Sequence, residues 1–213
     1  MRLYTLYSES HRELYEKFYK PSIPDGFDPV SVRVDQEGSG VFMDGYGWKL
    51  TMDKKLDLIL TAIEENDEPF VYADCDIQFF RPCADHMLEC LGDHEIAFQC
   101  DWWGWGAKCF GLFIARPTEN LKNVIINIKQ LCTEDRGDQE VLNDLLKEDP
   151  NLLDDVLLPH EYWTHGASDG KEYRSEMALE VPSDIITHPA NWVKGNAGKT
   201  ELMQRVKNIV TAR

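Results

Sequence analysis

The sequence is poor in positive charge. Its 22 lysines and arginines stand against 38 aspartates and glutamates, a formal net charge of −16. A surface that acidic repels phosphate backbones and excludes nucleic acid as a partner. A phosphorylated ligand would need local compensation from a metal ion, a few placed lysines or a helix N-terminus. Long apolar runs are also missing. Nothing approaches the ~18 residues of a membrane span, and the stretch from Met1 to Glu9 turns polar too early for a signal peptide. The six cysteines (Cys75, Cys83, Cys90, Cys100, Cys109, Cys132) include no Cys-x-x-Cys pair and no zinc spacing. They are expected to be reduced thiols in or near the core of a cytoplasmic protein. Internal repeats, low-complexity tracts and Pro/Ser-rich linkers are absent as well. We therefore expect residues 1–213 to form one domain, whole or as a piece of a longer protein.

What is present reads as an ordinary globular chain, 43% hydrophobic and 28% charged. Strand-like and helix-like segments alternate, which favours an α/β fold with a largely parallel sheet. Strands are expected over Arg2 to Tyr7, Val30 to Val34, Phe70 to Ala73, Glu95 to Gln99 and Cys109 to Ala115, with a last short one at Ile185 and Ile186. Helices are expected over His11 to Lys20, Lys54 to Glu64, a segment opened by Pro117, Asp138 to Lys147, and from Lys199 onward. A glycine-rich loop runs from Gly38 to Gly47.

Four constellations could carry chemistry. Asp74-Cys75-Asp76 is the one Asp-x-Asp in the chain, and it follows the apolar strand Phe70 to Ala73. Carboxylates two residues apart on a strand point to one side. Past the strand end they can share a hard cation with ligand phosphates, or be two solvated loop aspartates. Far downstream, His188 is followed six residues later by Lys194. Neutral imidazole is a good Mn²⁺ ligand and an ammonium can meet a phosphate, although a lone histidine is more often structural. Asp138-Gln139-Glu140-Val141-Leu142-Asn143 reads first as a helix N-terminus with an acid complementing the dipole. Asp101-Trp102-Trp103-Gly104-Trp105-Gly106 offers flat aromatic faces on flexible backbone, suited to a sugar or base, or to a loop folded over the core. Gly195-Asn196-Ala197-Gly198-Lys199-Thr200 ends like a P-loop but has Val193 where that motif needs glycine.

In order, these pieces resemble the nucleotide-sugar glycosyltransferases of the GT-A fold, related to glycogenin and the galactosyltransferases of glycosyltransferase family 8. The strand ending in Thr5-Leu6-Tyr7, the Lys54-Lys55 helix leading to Asp74-Cys75-Asp76, the Asp138 to Asn143 string and the His188 to Lys194 spacing all match. Glu140 replaces an Asp of that pattern, and Cys109-Phe110-Gly111 stands where many members have Asn-x-Gly. The compact form is also similar to the glycosyltransferase domains that large chlorella viruses use for capsid glycans. The resemblance implies a mixed, mainly parallel sheet flanked by helices and a metal-dependent transferase. It would move a sugar from a UDP-sugar to a hydroxyl of a carbohydrate or glycan acceptor, on a glycoprotein for instance, in the cytoplasm (the host's, for a viral protein). Asp74, Asp76 and His188 would hold Mn²⁺ or Mg²⁺. Thr5, Leu6, Tyr7, Lys55, Asp74 and Lys194 would bind the nucleotide, Lys194 through its diphosphate. Asp138 and Gln139 would contact the donor sugar, as in retaining enzymes, where the leaving diphosphate can take the proton. Asp101, read from its place at the head of the tryptophan loop, would suit the general base of an inverting enzyme instead.

Two other classes compete. A haloacid-dehalogenase-type phosphatase also uses Asp-x-Asp with Mg²⁺, but Gln78 stands where that family prefers Thr or Val. A non-catalytic nucleotide- or glycan-binding module would keep the same residues without turnover.

Overall fold

The computed structural model describes residues 1–35, 46–102, 106–165 and 171–213. Most of the glycine-rich loop, and Trp103, Gly104 and Trp105 of the aromatic loop, lie outside the described residues.

Eight strands and six α-helical segments are described: β1 (Arg2–Tyr7), α1 (Arg12–Leu14), β2 (Asp28–Arg33), α2 (Tyr46–Glu65), β3 (Phe70–Ala73), β4 (Ile77–Phe79), α3 (Ala84–Leu91), β5 (Ile96–Trp102), β6 (Ala107–Ala115), α4 (Glu119–Leu131), α5 (Asp138–Glu148), β7 (Asp155–Leu157), β8 (Thr187–Pro189) and α6 (Gly195–Thr211). A six-stranded sheet runs β2-β1-β3-β6-β5-β7, and β4 pairs with β8 in a small second sheet. In the large sheet β1 pairs parallel with β2 and β3, and β5 parallel with β7, while β6 is antiparallel to both β3 and β5. The sheet is thus mixed, and mainly parallel.

Strand alternation divides the core into two layers. Tyr4, Phe70, Tyr72, Phe98 and Phe113 face a layer filled by α2, α4 and α5, with Leu56, Ile59, Ile125, Ile128 and Leu142. Leu3, Val71, Ala73, Leu112 and Ile114 face the other layer, filled by Tyr15, Tyr19, Met87 and Leu91. Apolar runs buried on both faces are what a central strand requires, and β3 is fully buried.

The expected helix from His11 to Lys20 is irregular. One α-turn, Arg12–Leu14, leads into a π-type turn over Tyr15–Tyr19 and a 3₁₀ turn over Lys20–Ser22. Its tyrosines stack instead of following a helical stripe: Tyr7 lies 4.0 Å from Tyr15 at 4°. Helix α4 is capped by Thr118 Oγ1, which accepts from Leu121 N at 3.0 Å, so Pro117 lies just before the helix. The last strand is Thr187–Pro189, two residues past the expected isoleucines, because β8 is defined by pairing with β4. Helix α6 starts at Gly195, four residues before the expected start. All six cysteines are free, and all but Cys90 are buried. No described helix is long and apolar enough to cross a membrane.

Candidate functional site

The site forms where β3 ends. Asp74 N donates to Gly111 O at 2.7 Å, and Ile77 N donates to Asp74 O at 3.1 Å, so the chain turns through Asp74-Cys75-Asp76 before entering β4. That turn separates the two carboxylates, which on a continuous strand would share a side. Asp74 stays on the layer of α2 and α5. Tyr72 Oη donates to its Oδ1 at 2.8 Å, and Lys55 Nζ lies 3.4 Å away. Lys55 also pairs with Asp138 Oδ2 at 2.8 Å, beneath the rings of Tyr72 and Phe110 at 5.3 and 5.1 Å. Asp76 takes a different partner: Lys199 Nζ of α6, at 2.6 Å from Oδ2. Glycine at 111 leaves room for Asp74, since a Cβ there would sit 2.7 Å from its Oδ2 and push that carboxylate aside.

The small sheet joins this turn to the downstream histidine motif. Gln78 pairs with His188, Ile77 with Pro189, and Ala190 N donates to Asp76 O at 3.0 Å. His188 is fully buried and stacks on Trp163 with ring centroids 5.0 Å apart. Neither ring nitrogen has a hydrogen-bond partner. Lys194 is the residue before α6; its side chain is 87% exposed and stands 3.5 Å from Glu172.

A third cluster sits beside Asp74. Irregular pairing between β5 and β6 at Phe98/Gln99 and Cys100/Trp102 carries Asp101 out of the ladder. Its carboxylate accepts from Gln139 Nε2 and Asn191 Nδ2, both at 3.1 Å, and Trp192 Nε1 donates to its carbonyl at 3.3 Å. Gln139 Oε1 in turn accepts from Phe110 N at 3.0 Å. Asn143 clamps β6 through both backbone atoms of Lys108. The string from Asp138 to Asn143 therefore fastens α5 to β6 and holds Asp101 at once. Trp192 adopts a left-handed backbone at φ 56°, a strain of the kind that collects at functional sites.

Electrostatics separate the groups. Burial raises the Asp74 carboxyl, with Lys55 pulling against it and Asp76 and Asp138 adding to it. Burial would also raise Asp76, but the ion pair with Lys199 outweighs it and leaves that carboxyl below its usual range. Burial raises Asp101, against three hydrogen bonds that lower it. Burial, reinforced by His165, drops His188 to about 3, so its ring is neutral. The Lys55 ammonium is held well above its ordinary value, because two carboxylates overcome its burial.

The first strand supplies the remaining expected residues. Thr5 and Leu6 are buried and Tyr7 is half-buried at the C-terminal end of β1. Only Leu3 and Tyr4 pair with β3, so Thr5 to Tyr7 run past that neighbour toward the Asp74 turn.

A divalent ion would need donors from Asp74, Asp76 and His188. Two carboxylates and a neutral imidazole suit Mn²⁺ better than Mg²⁺, and the buried His188 ring, with one lone pair and no partner, could serve as a ligand. The ligand atoms of the three do not all come within 4.8 Å of one another, and Lys199 already holds Asp76. Among the described residues one group of three does converge so closely, the surface set His160, Glu161 and Asp184.

No family model matches the chain, and no curated protein matches it by sequence. Solved structures do match. One is a glycosyltransferase involved in glycosylation of the major capsid of the virus PBCV-1, with TM-score 0.63 and 12% identity over 95% of this chain and 98% of that one. Another is the galactosyltransferase LgtC in complex with donor and acceptor sugar analogs, with TM-score 0.59 and 13% identity over 100% and 96%. A third is the glycosyltransferase GlyE of Streptococcus pneumoniae, with TM-score 0.57 and 11% identity, where the match covers 99% of this chain and 63% of that one.

The fold is the GT-A glycosyltransferase fold. In this GT-A chain the structure brings Asp74, Lys55 and Asp138 together, and separately Asp101 with Gln139. Sequence reasoning gave no site role to Lys199, Asn191 or Tyr72, and it marked Gly111 only as part of the Cys109-Phe110-Gly111 string. Asn191 lay inside the His188 to Lys194 string. Lys199 was visible as the lysine of the failed P-loop, on the helix that follows that string.

Proposed function

We propose that the protein transfers a sugar from a UDP-sugar to a hydroxyl of a carbohydrate or glycan acceptor, with Mn²⁺ or Mg²⁺ as cofactor. The observation that carries this reading is the pairing of β4 with β8. It brings the Asp-x-Asp turn, which leads into β4, against the strand of His188, over a hundred residues away in sequence, with Asn191 just beyond that strand reaching the Asp101–Gln139 pair. Asp74, Asp76 and His188 would hold the ion, which when bound supplies positive charge where the leaving diphosphate becomes more negative. Lys194, exposed at the start of α6, would meet the diphosphate. Thr5 to Tyr7 would line the uracil pocket.

In the transfer, the bond between the anomeric carbon and the diphosphate oxygen breaks, and the acceptor oxygen bonds to that carbon. The acceptor proton needs a destination. Asp101 suits the role: its two amide donors fix the carboxylate, and burial raises its proton affinity. Gln139 positions Asp101 and borders the donor sugar. Asp138, bound to Lys55, sets the charge beneath the sugar. Six reduced cysteines suit a cytoplasmic setting, and we place residues 1–213 in one catalytic domain. Calorimetry with Mn²⁺ tests the nucleotide: UDP binds more tightly than GDP or ADP, and Asp76→Asn abolishes the Mn²⁺-dependent part. A preference for GDP refutes the donor assignment.

A further inference from the structure

We propose that Lys199 is a resident counter-ion of Asp76, which a divalent cation must displace before it can bind. The inference rests on the metal-dependent reading above and deepens it.

Three observations carry it. The Lys199 ammonium sits 2.6 Å from Asp76 Oδ2, on the carboxylate that would be a principal metal ligand. The pair is held in place from the α6 side, where Asn196 Nδ2 donates to Ser10 O at 2.6 Å and docks the helix start on the β1–α1 connection. His188, on the strand paired with β4, has two buried ring nitrogens without partners. A neutral ring keeps one lone pair, which could ligate a divalent ion once that ion reaches Asp76, while the Asp76 carboxylate serves either cation.

Charge explains why both states are accessible. Asp74, Asp76 and Asp138 contribute three negative charges, and Lys55 and Lys199 offset two of them. A divalent ion at Asp76 supplies the missing charge and releases one lysine. Lys199 is the one that can leave. It has one carboxylate partner and its side chain is 22% exposed, whereas Lys55 has two carboxylates and is 5% exposed. Once displaced, the Lys199 ammonium remains on α6 near the ion, available to the donor phosphates.

The test uses Mn²⁺ alone, counted as free ion by electron paramagnetic resonance. Lys199→Met binds Mn²⁺ at least about tenfold more tightly than the unaltered chain, since the competing cation is gone. Adding Asp76→Asn removes the gain. Equal or weaker Mn²⁺ affinity in a folded Lys199→Met overturns the proposal. A second measurement needs no variant. Amine acylation read by mass spectrometry reports Lys199 becoming several-fold more reactive as Mn²⁺ is added, with Lys55 unchanged. Unaltered Lys199 labelling in the presence of bound Mn²⁺ also overturns it. UDP binding on the same samples separates the two failures. If Mn²⁺ and UDP bind but Lys199→Met changes nothing, the counter-ion idea falls and the transferase reading stands. If neither binds, both fall.

Discussion

Lys55 and Lys199 each meet an aspartate of the same turn, yet they are built differently. Lys55 reaches out of α2 into the closed layer between the sheet and α5. It holds Asp138 at 2.8 Å and Asp74 at 3.4 Å, under two aromatic rings. Lys199 comes from α6, outside the large sheet, and holds Asp76 alone with water still in reach. Removing one member of a closed, multiply bonded charge cluster leaves an unpaired buried ion. Lys199 is the more exposed lysine, but Asp76 is as buried as Asp138, so removing Lys199 leaves a buried carboxylate that another cation could neutralise. The first lysine belongs to the framework of the candidate site, and on the proposal above the second belongs to the machinery that would exchange cations.

That contrast has consequences of decreasing size. Lys55→Met lowers unfolding free energy by about 3–5 kcal/mol, the cost of stranding Asp138, while Lys199→Met costs less, because Lys199 has one carboxylate partner where Lys55 has two and is itself less buried. Chemical denaturation of both variants measures it, and equal losses would erase the distinction between framework and exchange. Asp101→Asn lowers turnover at least about a hundredfold, or about 2.7 kcal/mol of barrier, with UDP affinity retained. The Asp101 carboxyl is raised, so activity in the unaltered chain falls as pH drops through a value above the ordinary carboxylate range. Asp101→Asn loses that acid limb. Turnover that survives the substitution excludes Asp101 as base. Gly111→Ala pushes a methyl against Asp74 Oδ2 and costs about 1–3 kcal/mol of stability. Thermal melting of that variant reads the closeness of β6 to the turn, and an unchanged melting temperature contradicts it. The smallest effect is at the exposed Lys194. Lys194→Ala shifts stability by less than about 0.5 kcal/mol and weakens UDP about tenfold or less while leaving uridine unchanged. Equal weakening of uridine would remove its diphosphate role.

The sequence made the strands legible where burial was total. Phe70 to Ala73 is apolar on both faces, and the strand observed has those limits. It failed where an element exists through a partner. β4 and β8 are three residues each and exist through pairing with distant segments, chiefly each other, which no local pattern encodes. The segment after β1 was misjudged for a related reason: Tyr7, Tyr15 and Tyr19 stack on one another, and that packing overrides helical spacing. At the site, carboxylates in strand-end positions were readable because few structural roles call for them there. Their cations were not. Lysine spacing along the chain says nothing about which aspartate a lysine will meet 123 positions away.

The most direct measurement is product analysis with a panel of UDP-sugars, Mn²⁺ and carbohydrate acceptors, alongside a phosphomonoester control. The account predicts UDP release together with sugar transfer that depends on Mn²⁺ and is lost in Asp76→Asn. Inorganic phosphate released from the phosphomonoester, with every UDP-sugar left intact, would contradict it.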